Sequence, residues 1–307
     1  MPSVSSLEEA AAVLQAANNE GRGLRIGRDV TTDGLDRVLE HEAGDLTCTV
    51  ESGLRLSALN AALALEGQRL SLDPPGDPTI GALLSENVSG PLRHRFGAPR
   101  DLVLGVTLVL ADGTIASAGG KVVKNVAGYD LSRLVCGSRG RLALIARASF
   151  RLHPLPQSQR TLVVATDDAA ETVAVLFGSR LEPSALDVLH PGRVAVRFEG
   201  SETAVDAQVA TAQALVAGNE GDEEIWAESR RRQQEARRTT RFAPGELRDI
   251  LERLPEAVVR PSAGVAYTAT GIQPTSSEPQ SPPSAEALHR LEERILRAFD
   301  PKGTLRE

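Results

Sequence analysis

The sequence predicts an α+β fold in two parts, and three observations predict it. The chain has 307 residues, enough for two domains that each bury their own core. An Asp112-Gly113 pair sits between the apolar run Leu102 to Leu110 and Thr114-Ile115-Ala116, a strong hairpin signal and hence a sign of antiparallel pairing. Beyond residue 156 the order reads β-α-β-β-α, which implies an antiparallel sheet with helices on one side.

Taken in order, Ser5-x-x-Glu8 reads as a capping box, with Leu7, Ala10, Ala11, Leu14 and Ala17 following at helical spacing. Leu24 to Ile26 predicts a short strand and Leu46 to Val50 another. Leu54 to Leu65 predicts a helix whose Leu56, Leu59, Ala62 and Leu63 share a face. Asp73-Pro74-Pro75-Gly76-Asp77-Pro78 is a rigid turn, and Thr79 caps the helix after it. A helix start presents unpaired N–H groups and partial positive charge, suited to a phosphate. At the far end of that helix, Asn87, Ser89 and Gly90 add an amide, a hydroxyl and bare backbone. Leu142 to Leu152 is the last strand of the first part, closed by His153-Pro154-Leu155-Pro156.

In the second part, Thr161 to Ala165, Ala185 to Leu189 and Arg193 to Phe198 predict strands, and Asp168 to Phe177 predicts a helix. Another helix carries Val205, Val209, Ala212 and Val216 on one face. The charged segment Glu223 to Arg238 holds the only tryptophan, Trp226, and its arginines read as a solvated helix face. Val258 to Arg260 and Val265 to Tyr267 are further strands. Gln273 to Pro283 is rich in proline and serine and reads as a linker, and Ser284 to Phe299 as an amphipathic helix.

The densest glycine pattern runs from Ala118 to Arg147. Three lysines occur among the 34 cationic residues, and Lys121 and Lys124 both fall in this stretch, beside Ala127-Gly128-Tyr129. Lysine and arginine differ at a ligand, so this placement points to a site, while a tight hairpin with solvated lysines explains it equally well.

Composition narrows the function. A net charge of −7 opposes general nucleic-acid binding, which needs a basic surface. No apolar run reaches the ~18 residues of a membrane span, and no secretory signal is visible at the N-terminus, so a cytoplasmic protein is expected. Cys48 and Cys136 lack metal or redox spacing and read as buried thiols. The histidines His41, His94, His153, His190 and His289 are scattered, with no metal-ligand spacing.

In this order along the chain come Pro78-Thr79-x-Gly81, Asn87-x-Ser89-Gly90, Arg95-Phe96-Gly97-x-x-x-Asp101, Lys124-Asn125-x-Ala127-Gly128-Tyr129-Asp130 and Gly137-Ser138-x-Gly140. The ordered set resembles the FAD-binding PCMH-type domain of the vanillyl-alcohol-oxidase superfamily, nearest to the FAD-binding E subunit of glycolate oxidases. The resemblance implies an α+β, two-subdomain PCMH-type FAD-binding domain over residues 1–156. A ferredoxin-like antiparallel α+β cap domain follows over 157–272, then a linker over 273–283. A helix in 284–307 returns to the first domain. It implies non-covalent FAD, contacted by Pro78, Thr79, Ile80, Gly81, Asn87, Ser89, Gly90, Lys124, Asn125, Ala127, Gly128, Tyr129, Gly140 and Ile145. It also implies a 2-hydroxy-acid oxidoreductase complex with a catalytic flavin subunit and an iron–sulfur subunit.

The sequence departs from the family where a glycine-rich phosphate loop normally follows the first strand. Here the chain reads Arg25-Ile26-Gly27-Arg28-Asp29, shortened near 27–34, and Asp29 would repel phosphate. Two readings stay open: an FAD-binding oxidoreductase subunit, with the flavin held more weakly, and a flavin-free assembly subunit on the same fold. No catalytic residue is assigned.

Overall fold

The computed structural model describes residues 2–120, 130–269 and 285–307. Lys121, Lys124 and the Asn125–Tyr129 stretch, together with the whole Pro/Ser-rich linker 273–283, lie outside them.

The first helix, Leu7–Glu20, is capped one residue later than the spacing predicts. Ser6 accepts from the Glu9 N–H at 3.1 Å, and the Glu9 carboxylate takes the Ser5 N–H at 2.8 Å. Glu9 is the acid that stands three residues past the cap, where a carboxylate can fold back on the entering chain. Ala10, Leu14 and Ala17 are fully buried beneath it.

A five-stranded antiparallel sheet forms the centre of this part, in the order Val38–Glu42, Thr47–Glu51, Leu144–Arg151, Val103–Val109, Ile115–Gly119. The Asp112-Gly113 hairpin forms as expected, with Gly113 in the left-handed region at φ 85°. Helices Leu56–Ala64 and Ile80–Glu86 cover one face through Leu59, Leu63, Ile80 and Leu83. On the other face Leu144, Ala146 and Val109 meet Leu14, Leu24 and Leu35. A bulge at Ala146, where pairing passes from Arg147–Thr107 to Ile145–Leu108, lets neighbouring residues serve both cores. It also turns Ile145 away from the N-terminal core and towards the Ile80–Glu86 helix.

Leu24–Arg25 finds its partner almost the whole chain away, in a two-residue parallel ladder with Leu305–Arg306. Asp300 fixes the return by accepting from the N–H groups of Thr304 and Leu305 at 2.9 and 2.6 Å.

The second part is a seven-stranded antiparallel sheet. Its order is Asn219–Gly221, Ser158–Ala165, Arg193–Gly200, Ala185–His190, Ala257–Arg260, Val265–Thr268, Arg238–Arg241. Leu186, Val188, Val194 and Val196 face helices Ala169–Phe177, Glu202–Val216 and Leu247–Arg253. The expectation of helices on one side alone is corrected here. Helix Glu224–Glu235 lies on the opposite face, where Ile225 and Trp226 pack on Ala185, Leu189 and Ala195. The Trp226 indole N–H donates to Thr161 Oγ1 at 2.8 Å, and Arg197 lies over its ring at 4.7 Å.

The charge on this helix is a solvated face only in part: Arg231 is exposed, as are Arg237 and Arg238 beyond its end, whereas Arg230 and Arg232 are half-buried and paired. Arg230 pairs with Glu223 and lies 3.8 Å from Asp73, while Arg232 pairs with Glu228 and Glu256. The helix is wedged between the second sheet and the first domain, and sequence periodicity cannot see that a charged side is covered. No described helix is long and apolar enough to cross a membrane.

Candidate functional site

Two cavities meet at the end of the Ile80–Glu86 helix. The first, about 410 Å³, lies between the turn Ile26 to Asp33, the segment Pro78 to Ala82, and Gly140 to Ile145. The second, about 910 Å³, lies between Asn87, Ser89 and Gly137 on one side and, on the other, Gln233 of the Glu224–Glu235 helix with Thr239, Arg241 and Tyr267 of the second sheet. Ile26, Ser85 and Glu86 line both. The space is therefore elongated, with a short arm inside the first domain and a wide arm roofed by the second.

The sequence makes these walls by punctuating each element where the cavity begins. Thr79 caps the Ile80–Glu86 helix, accepting from Ala82 N–H at 3.3 Å, and Asn87 ends it in the left-handed region at φ 50°. Asn87 Oδ1 then accepts the Arg100 N–H at 3.1 Å. The proline turn is anchored by Asp77, which takes the N–H and hydroxyl of Ser57 at 2.9 and 2.7 Å. Gly137 has φ 83°, and a Cβ there would meet only Asn87, at 3.7 Å. At Gly27 a Cβ would meet nothing within 4 Å.

Of the residues named from sequence, Pro78, Thr79, Gly81, Gly140 and Ile145 line the short arm, and Asn87 and Ser89 line the wide arm. Ile80 is fully buried in the core, and Gly90 packs on Asp73. Lys124, Asn125, Ala127, Gly128 and Tyr129 lie outside the described residues. The expectation that the helix start offers free N–H groups to a phosphate is corrected. Ile80 N–H donates to Leu54 O at 2.9 Å and Gly81 N–H to Ser52 O at 2.7 Å, while Thr79 takes the next. A seven-residue helix start stitched to the preceding loop this way shapes the wall and has no donors to spare. Asp29 also behaves otherwise than predicted. Arg25 donates to it from its backbone N–H and its guanidinium at 2.9 and 3.1 Å, holding its carboxyl below the usual range, and it does not line the cavity.

The residues missed from sequence are the cationic ones. Arg93, Arg100, Arg139 and Arg241 line the wide arm against Glu86 and Glu307, an excess of positive charge in a chain of net −7. Long-range pairing brings Arg241 and Glu307 there, so local pattern could not find them. Neither cysteine offers a reactive thiol: burial pushes Cys48 and Cys136 up to about 12. No group of three or more potential metal ligands occurs among the described residues.

Beneath the wide arm lies a buried polar cluster that joins the two domains. Arg260, 1% exposed, donates to Asp187 at 3.2 Å, and Ser229 bonds the other oxygen of the same carboxylate. Asp73 accepts the Leu92 N–H at 2.9 Å through Oδ1, and its Oδ2 has no hydrogen bond. Burial pushes the Asp73 carboxyl up to about 7, against the opposing pull of the Leu92 N–H and of Arg260, Arg230 and Arg197. The folded chain then holds a proton that the unfolded chain releases near the ordinary carboxylate value of ~4. Stability should fall as pH rises through that window to about 7, by up to about 4 kcal/mol from this group. Asp73→Asn keeps an acceptor for Leu92 and should flatten the dependence. Chemical denaturation across the window measures it, and identical slopes in both proteins would contradict the assignment.

Residues 3–119 match the family model FAD_binding_4, described as an FAD binding domain. In sequence the chain is 31% identical to glycolate oxidase subunit GlcE of Escherichia coli over 233 residues, covering 72% of this chain and 64% of that one. It is 37% identical to glycolate oxidase subunit GlcD of Bacillus subtilis over 164 residues, covering 50% of this chain and 34% of that one. To a D-lactate dehydrogenase of Archaeoglobus fulgidus it is 32% identical over 212 residues, 62% of this chain and 47% of the relative. The chain thus spans from about a third to just under two thirds of these relatives' lengths. In fold it superposes on an alkyldihydroxyacetonephosphate synthase with TM-score 0.72 at 16% identity, over 98% of this chain and 74% of that one.

Proposed function

We propose that this chain holds FAD non-covalently along the two connected cavities and acts as a subunit of a 2-hydroxy-acid oxidoreductase. The substrate class is glycolate or D-lactate, and the partners are a catalytic flavin subunit and an iron–sulfur subunit. The observation that carries the reading is that the two arms adjoin, sharing Ile26, Ser85 and Glu86 as lining residues. An extended dinucleotide needs a long slot with a narrow part and a wide part, and open space at Gly27 and Gly137 suits close approach of flat rings and phosphates.

Pro78, Thr79, Gly81, Gly140 and Ile145 would flank one portion of the nucleotide, and Asn87 and Ser89 the other. Bound FAD supplies the two-electron acceptor. This chain's own part is to orient it, to draw anions in through Arg100 and Arg241, and to shield it under the second sheet. We assign residues 1–156 as the cofactor domain, 157–272 as the cap, and 284–307 as the returning segment.

A second reading, a flavin-free assembly subunit, is favoured by one observation: the N–H groups of Ile80, Gly81 and Ala82 are all used within the protein. The two separate in one experiment. The purified chain is titrated with FAD while flavin fluorescence is followed, then mixed anaerobically with D-lactate or glycolate, alone and with its co-expressed partners. Saturable quenching and bleaching of the flavin by the acid are expected. Absence of binding in both preparations would reject the first reading in favour of the second.

A further inference from the structure

Two donors from the second domain converge on one backbone oxygen of the cavity wall. Gln233 Nε2 lies 2.9 Å and Arg260 Nη1 3.1 Å from the carbonyl oxygen of Ser89. Both side chains are buried, and both come from elements that belong wholly to the second domain. We propose that Gln233 and Arg260 are positioning residues that set the Asn87–Ser89 wall from the cap, so that seating the cap and binding the flavin nucleotide are one coupled event. The proposal rests on the FAD reading above.

The donors are themselves rigidly held. Arg260 is fixed by Asp187 at 3.2 Å and lies over the Tyr267 ring at 5.1 Å, and Tyr267 lines the wide arm. Asp187 is bonded in turn by Ser229, one turn before Gln233 on the same helix. From the first domain Asn87 is bonded by Arg100 and Leu92 by Asp73, Arg93 Nη1 lies 3.5 Å from the Ser89 hydroxyl, and Gly90 packs on Asp73, but among the described residues both donors to the Ser89 carbonyl come from the cap. The carbonyl in the middle of the wall is therefore placed by the cap. With Gln233 removed the carbonyl keeps the Arg260 donor at 3.1 Å but loses the shorter of its two hydrogen bonds, so the wall should loosen when the cap side chain is removed. By linkage, whatever favours the clamped wall favours the bound nucleotide equally.

Gln233→Met tests this, since methionine matches the length of glutamine and removes the donor. FAD affinity is read from fluorescence quenching, and amide hydrogen exchange over residues 87–92 from mass spectrometry, with the melting midpoint of the FAD-free protein as control. Affinity should drop about fivefold, equal to about 1 kcal/mol, and exchange over 87–92 should quicken while that of the cap core stays unchanged and the midpoint falls by no more than about 2 °C. Unchanged affinity and unchanged exchange would overturn the proposal. If the unsubstituted chain takes up no FAD, the functional reading fails on its own. The exchange comparison still decides whether the cap sets the wall: faster exchange in the variant supports it, equal exchange rejects it.

Discussion

A methyl group at Gly90 should destabilise the chain by roughly 3 kcal/mol or more and abolish flavin binding with it. The Cβ of Gly90→Ala would stand 1.7 Å from the Asp73 carbonyl oxygen, 2.5 Å from its carbonyl carbon and 2.4 Å from its Oδ1. Two of those three atoms are backbone, so no rotamer change relieves the clash. Either the proline turn from Asp73 or the 87–92 segment has to move, and both carry cavity walls. For a chain of this size the melting midpoint should fall by roughly 5 °C or more. A midpoint within a degree of the parent would show that the two segments do not pack as described.

Ser85→Trp should do the opposite, leaving the fold and removing the ligand. Ser85 sits in the helix Ile80–Glu86, half-buried, and lines both arms at their junction. Its hydroxyl makes only a long contact to Ala82 O at 3.5 Å, so little internal bonding is lost. Serine and tryptophan have similar helix propensities, and the indole would project into the empty junction. FAD affinity should fall at least about a hundredfold, about 3 kcal/mol, with the melting midpoint within a few degrees of the parent. Titration followed by flavin fluorescence measures it. Affinity within threefold of the parent would mean that the nucleotide does not pass through this junction. Read together, the pair separates loss of the fold from loss of the slot.

How much of this was legible in the sequence follows from the range of the interactions. The Thr79 cap, the Asp112-Gly113 hairpin and the apolar face of Leu56 to Leu63 are local, and the structure shows each as expected. The capping box missed by one residue because Ser5, Ser6, Glu8 and Glu9 satisfy two registers at once, and only geometry chooses. The glycine motifs fall partly on the cavity walls, at Gly81, Gly137 and Gly140, and partly where the protein packs on itself. Gly81 and Gly90 are small because Ser52 and Asp73 press on them from the protein's own side. The covered face of the Glu224–Glu235 helix and the arginines of the wide arm depend on pairing between distant segments, which no periodicity encodes. The same holds for Arg25: its bond to Asp29 changes a repulsive reading into a neutral one, and the sequence gives no sign of which cation an acid will choose.

The ladder between Leu24–Arg25 and Leu305–Arg306 has a consequence for the order of folding. Ile26, next to one of its strands, and Glu307, next to the other, both line the wide arm. The slot's rim is thus completed by a contact of very long sequence separation, the kind that closes last because its loop entropy is paid before any reward. A nascent chain can build its central sheet early yet offers no finished berth until residues 300–306 have threaded back. Cofactor uptake should therefore trail collapse of the domain, and a nucleotide supplied during refolding should accelerate nothing before that final step.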